Sequence, residues 1–383
     1  METTYIKNAR ILTEDGVIPG ALLCRNGVIE AVGSVPQPVD AEAVDAGGAL
    51  LAPGFLDLHT HGAVNVDVND ADPEGLVRIS RFFASHGVTG WLCSILTDTQ
   101  EQTLRCIAAA KEAMQDTSGA RLLGIHLEGP SLSPQYAGAM PQHLLRNGDA
   151  ALIHRYQEAA DGAIRTMTIA PELPGALDAI RELSGEMILS LGHSNATYDQ
   201  AIAAIDAGAR CITHTFNAMR LFHQHEPALM GAALERDVYC EAICDGRHLH
   251  PGSVRMLLSI KGHDRVVPVT DSIMATGLPD GDYRLGVNEI TVTDGDAMLK
   301  GKNVRAGSTL TADKALKNLI AFTGEPMEKL LLMMSRTPAA LLGMPQLGAI
   351  RPGCEASFVL LDETATVLET YICGRKVKNK GRI

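Results

Sequence analysis

Between residues 53 and 345 the chain repeats a texture: short apolar runs alternate with helix-like stretches, and most runs end on a polar or titratable side chain. The runs lie at 54–59, 90–95, 122–128, 166–170, 187–193, 211–214, 238–245 and 266–271. Helical periodicity fills segments between them, as at 100–114, 176–183 and 198–207, and continues after the last run at 311–323 and 327–342. Alternation of this kind predicts an α/β fold with a parallel sheet. Eight units in roughly 290 residues are the length and count of a (β/α)8, TIM-like barrel, whose chemistry sits at the C-terminal ends of its strands.

The flanks read differently. Residues 1–52 carry short apolar runs separated by turns, with Asn26-Gly27 between two of them. Asn-Gly in that setting is the strongest short-range hairpin signal. Residues 346–383 repeat the style, with runs at 357–362 and 366–373. Both ends together predict a small β-sandwich domain at 1–52 and 346–383, leaving 53–345 as the barrel.

Composition narrows the partners. With 45 acidic against 33 basic side chains the net charge is −12, and the basic residues cluster only at the end, at Arg375, Lys376, Lys378, Lys380 and Arg382. A field of that sign disfavours nucleic acid. No run approaches the ~18 apolar residues of a membrane helix, and the first residues lack a basic and apolar leader, so no membrane partner is expected. The eight cysteines contain no Cys-x-x-Cys pair and sit in apolar runs, at 24, 93, 106, 211, 240, 244, 354 and 373. They read as free thiols in a reducing cytoplasm.

The strand ends carry the chemistry. His59-Thr60-His61 closes the first run beside Asp57, and the two-residue period of a strand turns both imidazoles the same way, toward one metal ion. Glu128 closes an apolar run at His126-Leu127-Glu128-Gly129-Pro130. A carboxylate there needs a cation, and His126 on the same face is a candidate substrate contact. His193 and His214 lie 21 residues apart, each closing a run with one helical segment between them, which puts them at equivalent places on successive strands. Asp271 ends the eighth run. Beside a metal it can take a proton from an attacking water and pass it to a leaving amine. Asp245-Gly246 reads as a turn, and Met333-Met334 as core.

Together these residues resemble the amidohydrolase superfamily, and more closely the N-acetylglucosamine-6-phosphate deacetylases. The likeness spans nearly the whole chain. It rests above all on His126-Leu127-Glu128-Gly129-Pro130 and Gly192-His193-Ser194-Asn195-Ala196-Thr197, with Thr213-His214-Thr215-Phe216-Asn217-Ala218-Met219, Asp245-Gly246-Arg247-His248 and Val269-Thr270-Asp271 in support. The resemblance implies Glu128, His193 and His214 as ligands of a principal divalent metal and Asp271 as the catalytic acid and base. Because both His59 and His61 are kept, it allows a second ion, so one or two per subunit, with zinc favoured over iron, manganese or cobalt. It further implies that His248 contacts the sugar and that Asn217 and the Ala218 backbone lie near a phosphate, in a homodimer.

Two strings depart from the family pattern on the substrate side. Ala137-Gly138-Ala139-Met140 stands where the family has Lys-Gly-Ala-His, which puts Ala139 among the substrate contacts. His225 stands before Glu226-Pro227 where the family has an arginine. A neutral imidazole clamps phosphate less well than a bidentate guanidinium. The expected activity is hydrolysis of the acetamide of a small-molecule N-acetyl amino sugar, N-acetylglucosamine 6-phosphate first. The galactosamine epimer or an unphosphorylated sugar is the near alternative; a cyclic-amide hydrolase or a non-catalytic scaffold is the far one.

Overall fold

The computed structural model describes residues 2–39 and 41–377. Eight parallel strands pair in chain order: Phe55–Asp57, Val88–Leu96, Arg121–Glu128, Ile164–Ile169, Ile188–Leu191, Cys211–Ile212, Tyr239–Ile243 and Val266–Val269. The ring closes just past the first and eighth strands. There the Asp271 N–H donates to the His59 carbonyl at 2.8 Å and the His61 N–H to the Ser272 carbonyl at 2.7 Å. Asp57 braces this seam by accepting from the Thr270 N–H and hydroxyl at 3.2 and 2.6 Å.

Each of the eight runs falls on one of these strands. They are mostly apolar because helices cover one face and barrel side chains the other; Val88–Leu96 is buried along its whole length. Some of the helices start where a side chain satisfies their first N–H groups. Thr99 accepts from the Gln102 N–H, and Thr197 and Gln200 form a reciprocal capping box. That box sets the start of Tyr198–Asp206 a few residues after His193.

Strands from both termini form one eight-stranded sheet, with Leu50–Pro53 lying between Thr3–Thr13 and Phe358–Leu361. The two-residue alternation divides its side chains. Leu51, Phe358 and Leu360 join Ile6, Ile11 and Leu22 in a core of the sheet's own, while Leu50, Ala52, Val359 and Leu361 pack into the barrel's core. Asn26 and Gly27 both take positive φ, 49° and 81°, as a two-residue hairpin between Gly16–Arg25 and Val28–Gly33 requires. Of the basic tail, Arg375 and Lys376 pair with Glu2 and Glu369. Lys378, Lys380 and Arg382 lie outside the described residues. All eight cysteines are free thiols, seven of them buried. Among the described residues no helix is long and apolar enough to cross a membrane.

Two features differ from the sequence reading. The helix expected at 327–342 is two, Met327–Met333 and Arg336–Leu341. Pro338 explains the break, since its ring would strike the Met334 carbonyl of a continuous helix and it has no N–H to donate. A three-stranded antiparallel sheet, Gly281–Leu285, Asn288–Thr293 and Asp296–Leu299, follows the eighth strand. Its core includes Leu96, Leu132, Met140 and Ile273.

Candidate active site

The barrel brings His59, His61, Glu128, His193, His214 and Asp271 together at its C-terminal mouth, all buried. They form two groups, His59 with His61 and Asp271, and Glu128 with His193 and His214, each with its ligand atoms within 4.8 Å of one another. Glu128 joins the groups. Its Oε1 lies 3.1 Å from His193 Nε2 and 3.2 Å from His214 Nε2, and its Oε2 3.2 Å from His61 Nε2. Asp271 Oδ1 lies 3.3 Å from His61 Nε2 and 3.8 Å from His59 Nε2.

The outer nitrogens show how the rings are aimed. His61 Nδ1 bonds the Ser94 carbonyl at 3.0 Å, His193 Nδ1 the Tyr136 carbonyl at 2.7 Å, and His59 Nδ1 the Glu241 carboxylate at 3.0 Å. A neutral imidazole donating through Nδ1 keeps its lone pair on Nε2. The Nε2 atoms of His59 and His61 meet 3.1 Å apart, and His193 Nε2 lies 3.1 Å from that of His214, whose Nδ1 has no partner among the described residues. Two lone pairs at that separation, with carboxylate oxygens around them, need positive charge between them. Imidazole and carboxylate donors with bonded outer nitrogens are the set that holds divalent zinc or its neighbours, so the residues present fit a metal.

The backbone is strained at the same place. His193, His214 and Asp271 take positive φ values of 49°, 26° and 50°. A left-handed conformation in a residue other than glycine costs on the order of 1–3 kcal/mol and gathers at functional sites. Here it lets the chain turn off a barrel strand while the side chain still faces the centre.

Burial and charge compete throughout. Burial opposes the charge of Glu128, but His59, His193 and His214 outweigh it and hold the carboxyl well below its usual range. Burial likewise opposes ionisation of Asp271, and His59 and His61 overcome it to bring the group to about 2. Burial disfavours charge on His61 too, yet Asp271 and Glu128 raise it to about 9. The carboxylates thus draw positive charge into the cluster, which a divalent cation also supplies.

The substrate-side residues scatter. His248 Nδ1 is held by Asp245 Oδ2 at 2.7 Å, and Asp245 Oδ1 accepts the N–H groups of Arg247 and His248 at 2.8 Å. The expected turn at Asp245-Gly246 is therefore also the seat of His248. Asn217 and Ala218 follow His214 directly, with Asn217 Nδ2 donating to the His214 and Thr215 carbonyls. Phe216 and Ala218 have positive φ.

Three further residues belong to the set read from the sequence. His126 is a correction: it is fully buried, its ring nitrogens bond the Ser94 and Thr168 hydroxyls at 2.8 Å each, and it packs edge-on to His59. Burial pushes it well below the usual imidazole range, so it supports the ligands from behind as a neutral ring rather than facing a substrate. His225 is exposed, its ring 5.4 Å from that of His223, while neighbouring Arg220 pairs with Glu226. Ala139 lends its carbonyl to Asn288 Nδ2 of the added sheet at 2.6 Å, and Met140 is buried in apolar packing.

Glu241 escaped the sequence reading. It is a carboxylate in the middle of a buried strand, and that misplaced charge was the available signal.

The amidohydrolase family model matches residues 50–379. N-acetylgalactosamine-6-phosphate deacetylase of Escherichia coli O157:H7 is 35% identical over 380 residues, covering 97% of this chain and 99% of that one. N-acetylglucosamine-6-phosphate deacetylase of Vibrio furnissii is 36% identical over 356 residues, covering 92% and 89%. Among solved structures, N-acetyl-D-glucosamine-6-phosphate deacetylase of Mycobacterium smegmatis, a mutant in complex with N-acetyl-D-glucosamine-6-phosphate, superposes with a TM-score of 0.92 at 34% identity, covering 98% of this chain and all of that one.

Proposed function

Since the chain belongs to the amidohydrolase family, and within it to the N-acetylglucosamine-6-phosphate deacetylases, we propose that it hydrolyses N-acetyl-D-glucosamine 6-phosphate to D-glucosamine 6-phosphate and acetate. The observation that carries this reading is the pair of ligand groups joined by Glu128, with Asp271 against them. Glu128, His193 and His214 would hold the principal ion, and His59 and His61, with Asp271 beside them, a second. A divalent cation at such a site supplies Lewis acidity to the acetyl carbonyl and makes water more acidic. Zinc suits imidazole and carboxylate donors; iron, manganese and cobalt share the preference.

Asp271 does the proton work. Its oxygen takes a proton from the attacking water as the C–O bond forms, then returns it to the amine nitrogen as the C–N bond breaks. Being ionised well below neutrality suits it to start as a base. His248, oriented by Asp245, contacts the sugar and the acetyl oxygen, and Asn217 with the Ala218 backbone lies toward the phosphate. Ala139 and His225 complete the substrate side less directly, since one is tied to Asn288 and the other is exposed. Exposed Leu221 and Phe222 beside His225 support a homodimer formed through that loop. The free cysteines support a reducing, cytoplasmic compartment.

A second reading has its own support: the relative from Escherichia coli acts on the galactosamine epimer and matches this chain as well as the glucosamine enzymes do. Acetate release from both N-acetyl amino sugars, each plain and 6-phosphorylated, separates the readings. Preference for the phosphorylated glucosamine compound is expected, and no acetate from any of the four would overturn the reaction.

A further inference from the structure

One buried carboxylate touches both ligand groups without belonging to either. Glu241 is 2% exposed and lies in the seventh barrel strand, Tyr239–Ile243. Its Oε2 bonds His59 Nδ1 at 3.0 Å and accepts the backbone N–H of His214, also at 3.0 Å. Its own carbonyl accepts the Thr215 N–H at 2.9 Å. The four ligand histidines differ in what holds Nδ1. His61 and His193 have backbone carbonyls, His214 has no partner among the described residues, and His59 alone has a carboxylate.

We infer that Glu241 is a positioning residue that makes His59 a metal ligand, and so decides whether the chain binds a second ion. The inference rests on the metal-dependent reading above and deepens it. Two forces act through the one oxygen. The bond to Nδ1 fixes the tautomer that leaves the His59 lone pair on Nε2, toward His61 and Asp271, and the negative charge makes that lone pair more basic. The bond to the His214 N–H holds the backbone where φ is 26°, locking the two groups in register. A backbone carbonyl could do the first only in part, because it carries no full charge.

Substitution separates these contributions. In Glu241→Gln the amide oxygen can still accept both N–H groups, so the His214 backbone keeps its partner while the charge beside His59 is lost. Glu241→Ala removes both bonds. The experiment loads wild type and both variants with zinc, measures bound zinc per chain, and follows its release stepwise with a chelator. Wild type should hold two ions. Glu241→Gln should bind one of them about 10- to 100-fold more weakly, the range for loss of an outer-shell partner, with the other unchanged within about twofold. Glu241→Ala, where it folds, should keep a single ion.

Equal release of both ions from wild type and Glu241→Gln would overturn the inference, as would equal weakening of the two. A wild type that holds one ion would overturn it too, and leave the proposed reaction standing. A wild type that binds no divalent metal would instead remove the reaction on which it rests.

Discussion

The ligand side of the barrel mouth and the loop at 220–226, which follows His214 in the chain, are built by different rules. Six ligand-type side chains are buried at strand ends, and most of their outer nitrogens are bonded to a second layer of protein. The loop leaves Leu221 80% and Phe222 53% exposed, and its charges pair with each other rather than with the centre. A group fixed by the sheet can be placed to within a hydrogen bond, as catalysis on an amide demands. A group on an exposed loop tunes affinity instead, and can change between relatives without disturbing the centre.

That contrast predicts effects of very different size. The largest falls on Asp271. Asp271→Asn keeps an oxygen facing the histidines but cannot serve as a base, so kcat should fall on the order of 10² to 10⁴, with KM changed little. Steady-state acetate release checks this, and a variant with more than about a tenth of wild-type rate would take Asp271 out of the mechanism.

A smaller effect belongs to His225. Restoring a guanidinium with His225→Arg should lower KM for the 6-phosphorylated sugar by up to about tenfold, or ~1.4 kcal/mol, at unchanged kcat. A kcat change of similar size would mean the loop reaches the reacting atoms. The smallest concerns stability. Phe222→Ser should shift the unfolding free energy of the dilute single chain by no more than about 0.5 kcal/mol, because its side chain is half in water there, while weakening dimer formation at higher concentration. A larger loss in a denaturant titration at dilution would show that the loop is packed within its own chain.

The same contrast governs what could be read without a structure. The barrel strands are legible because burial on both faces forces continuous apolar runs, against which His59, Glu128, His193, His214 and Asp271 stand out as charges that need a reason. His126 stands out by the same signal and deceives. A strand-end position does not reveal that both ring nitrogens are spent on Ser94 and Thr168, from two other strands. Glu241 is the converse, a mid-strand charge whose partners, His59 and the His214 N–H, come from distant segments. The sheet at 281–299 had a local signal in Asp294-Gly295, both with positive φ, 51° and 75°. It went unread because its strands are polar and half exposed.

The central claim is that two metal-binding groups joined by Glu128 hydrolyse an N-acetyl amino sugar phosphate. Its most direct test is acetate release from N-acetylglucosamine 6-phosphate by zinc-loaded protein, by protein stripped with a chelator, and by stripped protein given zinc again. The account predicts acetate and free amine in equal amounts from the loaded protein, none above background after stripping, and recovery on readdition. Undiminished release from fully stripped protein would contradict it.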